Sequence, residues 1–139
     1  MSINEIQDQI IEEFSAYTEL MDKYKAILLA GRRLDPLDDK YKIQENAIKG
    51  CQSTVWIIVE KVDGKLNFKA DSETLVTKGI LALILRVFQN QTPKDIYTSN
   101  LYFVERVGLK AHLSPSRANG LGGILQHIHE VSKNYLGKN

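Results

Sequence analysis

The sequence predicts an α+β fold in which a small antiparallel sheet, formed by a hairpin at about 54–71, packs against several helices. Hydrophobic residues recur at helical spacing before and after this segment, whereas inside it the period changes to two. The chain has 139 residues, of which 43% are hydrophobic, so it is long enough to bury one core. No internal repeat or linker interrupts it, and we predict a single domain over 1–139.

Two helices are predicted before the hairpin. Ser2 and Glu5 have the spacing of a capping box, which indicates that the first helix begins there. The second helix is predicted to begin near Thr18 and to end before Pro36. Each carries an apolar stripe at helical spacing: Ile3, Ile6, Ile10, Ile11 and Phe14 in the first, and Met21, Tyr24, Ile27 and Leu28 in the second.

The hairpin is predicted around a two-residue turn. Asp63-Gly64 is the preferred dipeptide of a type I′ turn, and it places Val62 opposite Lys65. Counting outward from this pair puts small or apolar residues of both strands on one face, so the register is self-consistent. The further pairs are Val59 with Phe68, Ile57 with Ala70, and Val55 with Ser72.

The chain is predicted to return to helix after the hairpin. Thr92-Pro93 and Ser114-Pro115 have the pattern of an N-cap followed by proline, which indicates two helix starts. A short helix at 101–107 should end at Gly108. The first helix after the hairpin is apolar over most of its circumference, as is typical of a central core helix, at Leu75, Val76, Gly79, Ile80, Leu83, Ile84 and Val87. The last helix should bury Leu121, Ile124, Leu125, Ile128 and Tyr135.

The composition argues against several classes of function. With 18 Lys and Arg against 17 Asp and Glu, the net charge of +1 offers no electrostatic basis for binding nucleic acid or a membrane surface. The longest apolar stretch, 79–87, is too short to span a bilayer. The first residues, MSINEIQDQ, lack the basic and apolar regions of a secretion signal, so we expect a cytoplasmic protein.

The chain has one cysteine, Cys51, which excludes an intramolecular disulfide and fits a reducing compartment. One thiol cannot supply the three or four ligands of a structural zinc or iron–sulfur site, so no metal is expected. Two interpretations remain open on the pattern alone: a small buried hydrophobe, or a reactive thiol. The polar or small neighbours favour a loop and therefore the reactive thiol: Lys49, Gly50, Gln52 and Ser53.

Arg117 and the histidines are weaker candidates for a site. If Ser114 is the N-cap, Arg117 lies in the first helical turn, where the helix dipole disfavours a cation. It is either a solvated surface residue or a functional cation, which lies near the Cys51 thiolate or faces a partner protein. His127 and His129 are two residues apart on a helix and cannot share a face as a metal pair, whereas His112 remains a candidate through its proximity to Arg117 in sequence.

Four segments together closely resemble the SufE family: YKIQENAIKGCQSTVWI, KADSETLVTKGILALIL, TPKDI and GLKAHLSPSRANGL. GCQS followed by an apolar strand, with SPSR-x-NGL, is a specific pair of motifs. The resemblance implies a fold shared with IscU-type scaffold proteins, with Cys51 as a sulfur acceptor and Arg117 close to it. Family members carry an acidic residue in a D-S-[DE] turn, where this chain has Glu73. The candidate supporting or partner-binding residues are therefore Gly50, Gln52, Glu73, His112 and Arg117.

In the SufE family a cysteine accepts persulfide sulfur from a cysteine desulfurase for iron–sulfur cluster assembly. The resemblance implies an accessory sulfur-transfer protein, not an enzyme in its own right, that stimulates a SufS-like or CsdA-like desulfurase and passes sulfur to a downstream iron–sulfur scaffold. The pyridoxal phosphate of that reaction belongs to the desulfurase, and we expect no cofactor in this chain. A homodimer is compatible with the sequence. Two other classes stay open: an IscU-like scaffold, which needs several thiolate ligands, and a cysteine-dependent hydrolase, which needs a base beside the thiol.

Overall fold

The computed structural model describes residues 1–48, 54–113 and 115–137, and for 115–117 and 119 the backbone alone. In these residues helices precede and follow a two-stranded antiparallel sheet, so the fold class is α+β as predicted. Short 3-10 turns lie at Asp39–Tyr41, Gln44–Asn46 and Leu109–His112. The main elements are α1 (Ile3–Ser15), α2 (Leu20–Arg33), β1 (Val55–Val62), β2 (Lys65–Ser72), α3 (Leu75–Phe88), α4 (Pro93–Tyr97), α5 (Phe103–Val107) and α6 (Pro115–Tyr135).

Helix α1 begins with the predicted capping box. The hydroxyl of Ser2 accepts a hydrogen bond from the backbone N–H of Glu5, and the Glu5 carboxylate accepts one from the backbone N–H of Ser2, both at 3.1 Å. A fully buried side chain, Gln7, lies on the inner face of the helix. Its Oε1 accepts from the N–H of Phe103 at 3.1 Å and its Nε2 donates to the carbonyl of Asn100 at 3.0 Å. These two bonds fix the start of α5 at Phe103, two residues later than predicted.

Helix α2 crosses the central helix α3 at two glycines. A Cβ atom built on Gly79 would lie 2.0 Å from the carbonyl oxygen of Ile27, and one on Gly31 would lie 2.7 Å from the carbonyl oxygen of Leu75. The two helix backbones are therefore in direct contact. Because this crossing involves the C-terminal half of α2, its N-terminal half is left uncovered, and the predicted apolar stripe is wrong for Met21, which is 58% exposed, and for Tyr24.

The hairpin has the predicted register along its whole length, from Val62 opposite Lys65 to Val55 opposite Ser72. Asp63 and Gly64 have φ of 53° and 79°, the positive values that a type I′ turn requires. The inner face of the sheet packs into the hydrophobic core with α3: Val55, Ile57, Leu66, Phe68 and Ala70 are buried. Trp56 and Ile58 fall on the opposite face, also as predicted.

The outer edge of β2 is covered by the residues that follow α3. The side-chain amide of Gln89 pairs with the backbone of Phe68 twice, accepting from its N–H at 2.6 Å and donating to its carbonyl at 2.7 Å. The N–H of Leu66 donates to the carbonyl of Gln91, and the N–H of Asn90 donates to the carbonyl of Leu66. These bonds occupy polar groups that an exposed strand edge would otherwise offer to another chain.

The remaining helices agree closely with the sequence. Thr92 caps α4 through a bond from the N–H of Asp95 at 3.2 Å, α5 ends at Val107 with Gly108 as its C-cap, and α6 begins at Pro115. The predicted N-cap Ser114 lies outside the described residues. No helix in the part of the chain described is long and apolar enough to cross a membrane.

Candidate functional site

The cysteine and its two nearest candidates, Gly50 and Gln52, lie outside the residues that the structure describes. The described chain stops at Ile48 and resumes at Thr54, so five residues, 49–53, connect these two positions. Both flanking residues, Ile48 and Thr54, lie at the open end of the hairpin, opposite the Asp63-Gly64 turn.

The two described residues that flank 49–53, Ile48 and Thr54, are both bonded to the hairpin. The N–H of Ile48 donates to the carbonyl of Val55 at 2.8 Å, and Ala47 forms an antiparallel bridge with Trp56. On the other side, the hydroxyl of Ser72 donates to the carbonyl of Thr54 at 2.9 Å. Ile48 and Thr54 are therefore hydrogen-bonded to Val55 and Ser72, which are neighbours in the same sheet.

A buried carboxylate, Asp71, lies directly opposite Trp56 in this part of the sheet. It is 2% exposed, and its oxygens accept two backbone hydrogen bonds, from the N–H of Ser72 at 2.8 Å and from the N–H of Leu37 at 3.2 Å. Leu37 belongs to the connection that follows α2. One carboxylate therefore joins the end of β2 to a segment 34 residues away in sequence.

Two lysines compensate the charge of Asp71. The ammonium of Lys78, in the first turns of α3, lies 3.3 Å from Oδ1, and that of Lys42 lies 3.4 Å from Oδ2. Lys42 also lies 5.6 Å from the centre of the Trp56 ring and 3.4 Å from the exposed carboxylate of Asp39. An ionised carboxylate in the interior needs such partners, since burial without them is strongly unfavourable.

These contacts change the pKa of the groups involved. Burial alone would raise the pKa of Asp71, but the hydrogen bonds from Ser72 and Leu37 and the charge of Lys78 outweigh it, so the pKa is held below its usual range. Burial alone would lower the pKa of Lys42, but Asp71 outweighs this effect and raises it. Asp71 and Lys42 are therefore both ionised at neutral pH.

Acid should remove the contribution of Asp71 to stability. Because its pKa is lower in the folded protein than the value of about 3.9 in an unfolded chain, the contribution is complete above that pH and is lost as the pH falls towards the folded pKa. We expect Asp71→Asn to lower the free energy of unfolding in urea by about 3 kcal/mol at neutral pH, and by clearly less at a pH of about 2. Asp39→Asn removes the exposed partner of the same lysine and is the matched control, with an effect below about 0.5 kcal/mol. An Asp71→Asn effect that did not change with pH would contradict this account.

Glu73, the acidic residue singled out by the D-S-[DE] pattern, is exposed and makes no hydrogen bond or ion pair with any residue that the structure describes. Its neighbour Ser72 donates its hydroxyl to the carbonyl of Thr54, and Asp71 lies opposite Trp56. Sequence reasoning assigned them no role. The sequence contained one signal for Asp71: the predicted register places this acidic residue opposite Trp56, at the end of a strand.

Arg117 is the third residue of α6, as the Ser114-Pro115 pattern predicts. Its side chain is outside the described residues, so its proximity to Cys51 stays a prediction.

The last candidate, His112, ends a 3-10 turn with its ring centre 5.9 Å from that of Tyr24. Its Nε2 is buried and has no hydrogen-bond partner among the described residues, and burial together with the charge of Lys23 lowers its pKa, so the imidazole is neutral at pH 7. Its role at the site also stays a prediction.

The other two histidines lie on α6 without a shared site. His129 stacks on Tyr97 at 4.4 Å between ring centres, and burial lowers the pKa of His127. In the described part of the chain, no group of three or more His, Cys, Asp and Glu residues is arranged to hold a metal ion.

Comparison with known proteins agrees with the resemblance read from the motifs. Residues 8–132 match SufE, a family described as an Fe-S metabolism associated domain. An uncharacterized SufE-like protein of Synechocystis sp. is 35% identical over 118 residues, which cover 85% of this chain and 74% of that protein. The solution structure of a hypothetical protein from Thermus thermophilus superposes with a TM-score of 0.77 over 94% of this chain and 96% of that one. At 16% identity, the last comparison shows a common fold.

Proposed function

Because the chain belongs to the SufE family and so to iron–sulfur metabolism, we propose that it is a sulfur acceptor whose Cys51 takes persulfide sulfur from a cysteine desulfurase. It stimulates the desulfurase and passes the sulfur on for iron–sulfur cluster assembly. The desulfurase is of the SufS or CsdA type and supplies the pyridoxal phosphate. The protein acts in the cytoplasm, as an accessory to that enzyme.

One observation carries the proposal. The chain has a single cysteine, and it lies within the five residues between Ile48 and Thr54, both of which are bonded to the end of the hairpin. Connecting segments beside a rigid scaffold are a favoured place for reactive groups, and this supports Cys51 as the acceptor.

The transfer follows thiol–disulfide chemistry. The Cys51 thiolate attacks the terminal sulfur of the persulfide on the desulfurase; a new sulfur–sulfur bond forms on Cys51, the sulfur–sulfur bond of the donor breaks, and the donor cysteine leaves as a thiolate. The exchange requires no external oxidant or reductant. Its rate depends on the thiolate fraction and on access to the sulfur, so a cation such as Arg117 near Cys51 would favour the reactive form.

The two alternatives have less support. A cluster scaffold requires several thiolate ligands, and the full sequence contains one cysteine. A cysteine-dependent hydrolase requires a base within hydrogen-bonding reach of the thiol. His112 is the candidate base nearest to Arg117 in sequence, and its described contact is with the ring of Tyr24.

The proposal is tested by incubating the protein with a cysteine desulfurase, pyridoxal phosphate and cysteine. We expect mass spectrometry to find one added sulfur atom on the peptide that contains Cys51, which a reductant removes. The same mixture without cysteine is the control for background oxidation. Sulfur on another peptide, or on none, would contradict the acceptor function.

A further inference from the structure

We propose that the uncovered N-terminal half of α2 is the contact surface of a weak homodimer, in which the α2 helices of two copies of this chain pack antiparallel about a twofold axis. Four neighbouring side chains form this surface, which we call the α2 patch: Tyr17, just before the helix, and Leu20, Met21 and Tyr24 within it. The inference goes beyond the proposed function and does not depend on it.

The α2 patch is a concentration of exposed apolar side chains. It contains four of the nine large hydrophobic residues that are exposed in the described part of the chain, and no two of the other five lie within ten residues of each other. Leu20 is 59% exposed and Met21 58%, while Tyr17 is 38% exposed and Tyr24 36%. Single exposed apolar residues are ordinary, but a contiguous group that is rich in Tyr and Met is typical of a protein–protein contact.

The charges around the patch fit a second copy of the same helix. Along α2 and its N-cap, the acidic residues Glu19 and Asp22 come first, and the basic residues Lys23 and Lys25 follow. None of these four side chains forms an ion pair with a residue that the structure describes. An antiparallel copy brings the acidic part of each helix against the basic part of the other, whereas a parallel copy would bring like charges together.

One register satisfies the charges and the apolar side chains together. When Glu19 faces Lys23 of the second copy, the twofold axis passes Met21, because positions 19 and 23 are equally distant from 21. Leu20 and Met21 then pack against the same two residues of the second copy. Tyr24 approaches the stretch before the helix of that copy, which includes Tyr17. The ion pair therefore occurs twice, as a twofold contact requires.

The size of the patch and the charge of the protein set the strength of the contact. Four side chains per copy are far fewer than the roughly 20–30 residues per partner of a standard stable interface, so the dimer dissociates at low concentration. The net charge of +1 gives almost no repulsion between copies, and this favours association at high concentration.

Sedimentation equilibrium of the full chain at low salt tests the dimer, over protein concentrations from about 10 µM to about 1 mM. A reductant is present, so that the single cysteines of two copies do not form a disulfide. We expect a reversible monomer–dimer equilibrium whose dissociation constant rises at least about tenfold in Met21→Ser. Leu29→Ser is the matched control and should stay within about twofold of the wild type. Leu29 is also exposed on α2, at 46%, but it lies half a turn around the helix from Leu20 and about two turns beyond Met21.

Two charge reversals test the register. Glu19→Lys and Lys23→Glu each place like charges together twice, so each should raise the dissociation constant at least about threefold. The two substitutions change the net charge in opposite directions, so a general charge effect does not explain a loss in both. The variant with both substitutions restores the ion pairs with exchanged signs and should return to within about twofold of the wild type.

A wild-type protein that stays monomeric up to about 1 mM overturns the proposal, and so does a dimer that Met21→Ser and Leu29→Ser weaken equally. Single reversals that the doubly substituted protein does not restore overturn the antiparallel contact. If the wild type is monomeric and Met21→Ser instead lowers its affinity for a desulfurase, the patch is a surface for that enzyme and the homodimer is wrong.

Discussion

Replacing Cys51 by serine is expected to abolish sulfur uptake and the stimulation of the desulfurase while the protein stays folded. The serine hydroxyl is not ionised at neutral pH and cannot store sulfane sulfur, so no acceptor remains in a chain with one cysteine. In a segment with polar or small neighbours, the change should alter the free energy of unfolding by about 0.5 kcal/mol or less. Sulfide release by the desulfurase and urea unfolding are the measurements.

Cys51→Ala is the control that separates a reactive thiol from a buried hydrophobe. Both variants should be inactive and nearly as stable as the wild type if Cys51 is the acceptor. A buried apolar position would instead tolerate alanine better than serine, since serine would bring an unpaired hydroxyl into the interior. Undiminished stimulation by Cys51→Ser would show that the cysteine is structural.

Gly79→Ala is expected to cause a large loss of stability, about 3 kcal/mol or more in urea unfolding. Alanine in the middle of a helix is normally better than glycine by about 0.5–1 kcal/mol. At this position the added Cβ would lie 2.0 Å from the carbonyl oxygen of Ile27 and 2.7 Å from its carbonyl carbon. Both atoms belong to the backbone of α2, so the two helices must move apart and the core between them must repack.

Gly122→Ala provides the matched control in another helix. Gly122 lies in α6, and a Cβ atom built there meets nothing within 4 Å. The same substitution should therefore stabilise the protein slightly, in agreement with helix propensity. Equal effects at Gly79 and Gly122 would show that the contact between α2 and α3 is not as close as described.

The hairpin could be predicted because the residues that specify it are close together in the sequence. The Asp63-Gly64 turn sets the pairing of Val62 with Lys65, and the alternation of apolar residues admits one register, which the structure confirms. The capping box of Ser2 and Glu5 is equally local and is also confirmed. In each case the interacting groups are neighbours in sequence, so their residue types are sufficient to predict the contact.

The exposure of the N-terminal half of α2 could not be predicted from such local patterns. Its apolar periodicity continues through Met21 and Tyr24, but periodicity does not say how far along the helix the core extends. The crossing with α3 at Gly31 and Gly79 decides that, and it depends on the close approach of two backbones. Gly79 was read from the sequence as part of an apolar stripe, not as a point of helix contact.

The fold class, the strand register and the family motifs around Cys51 follow from the amino-acid sequence, because they depend on period, turn chemistry and local residue patterns. Which of the two acidic residues beside Ser72 is buried depends instead on contacts between distant parts of the chain. Asp71 and Glu73 are two residues apart and chemically alike, but Asp71 receives the N–H of Leu37 and the charges of Lys42 and Lys78. These partners come from the connection after α2 and from α3, and a buried carboxylate is stable where such partners converge on it.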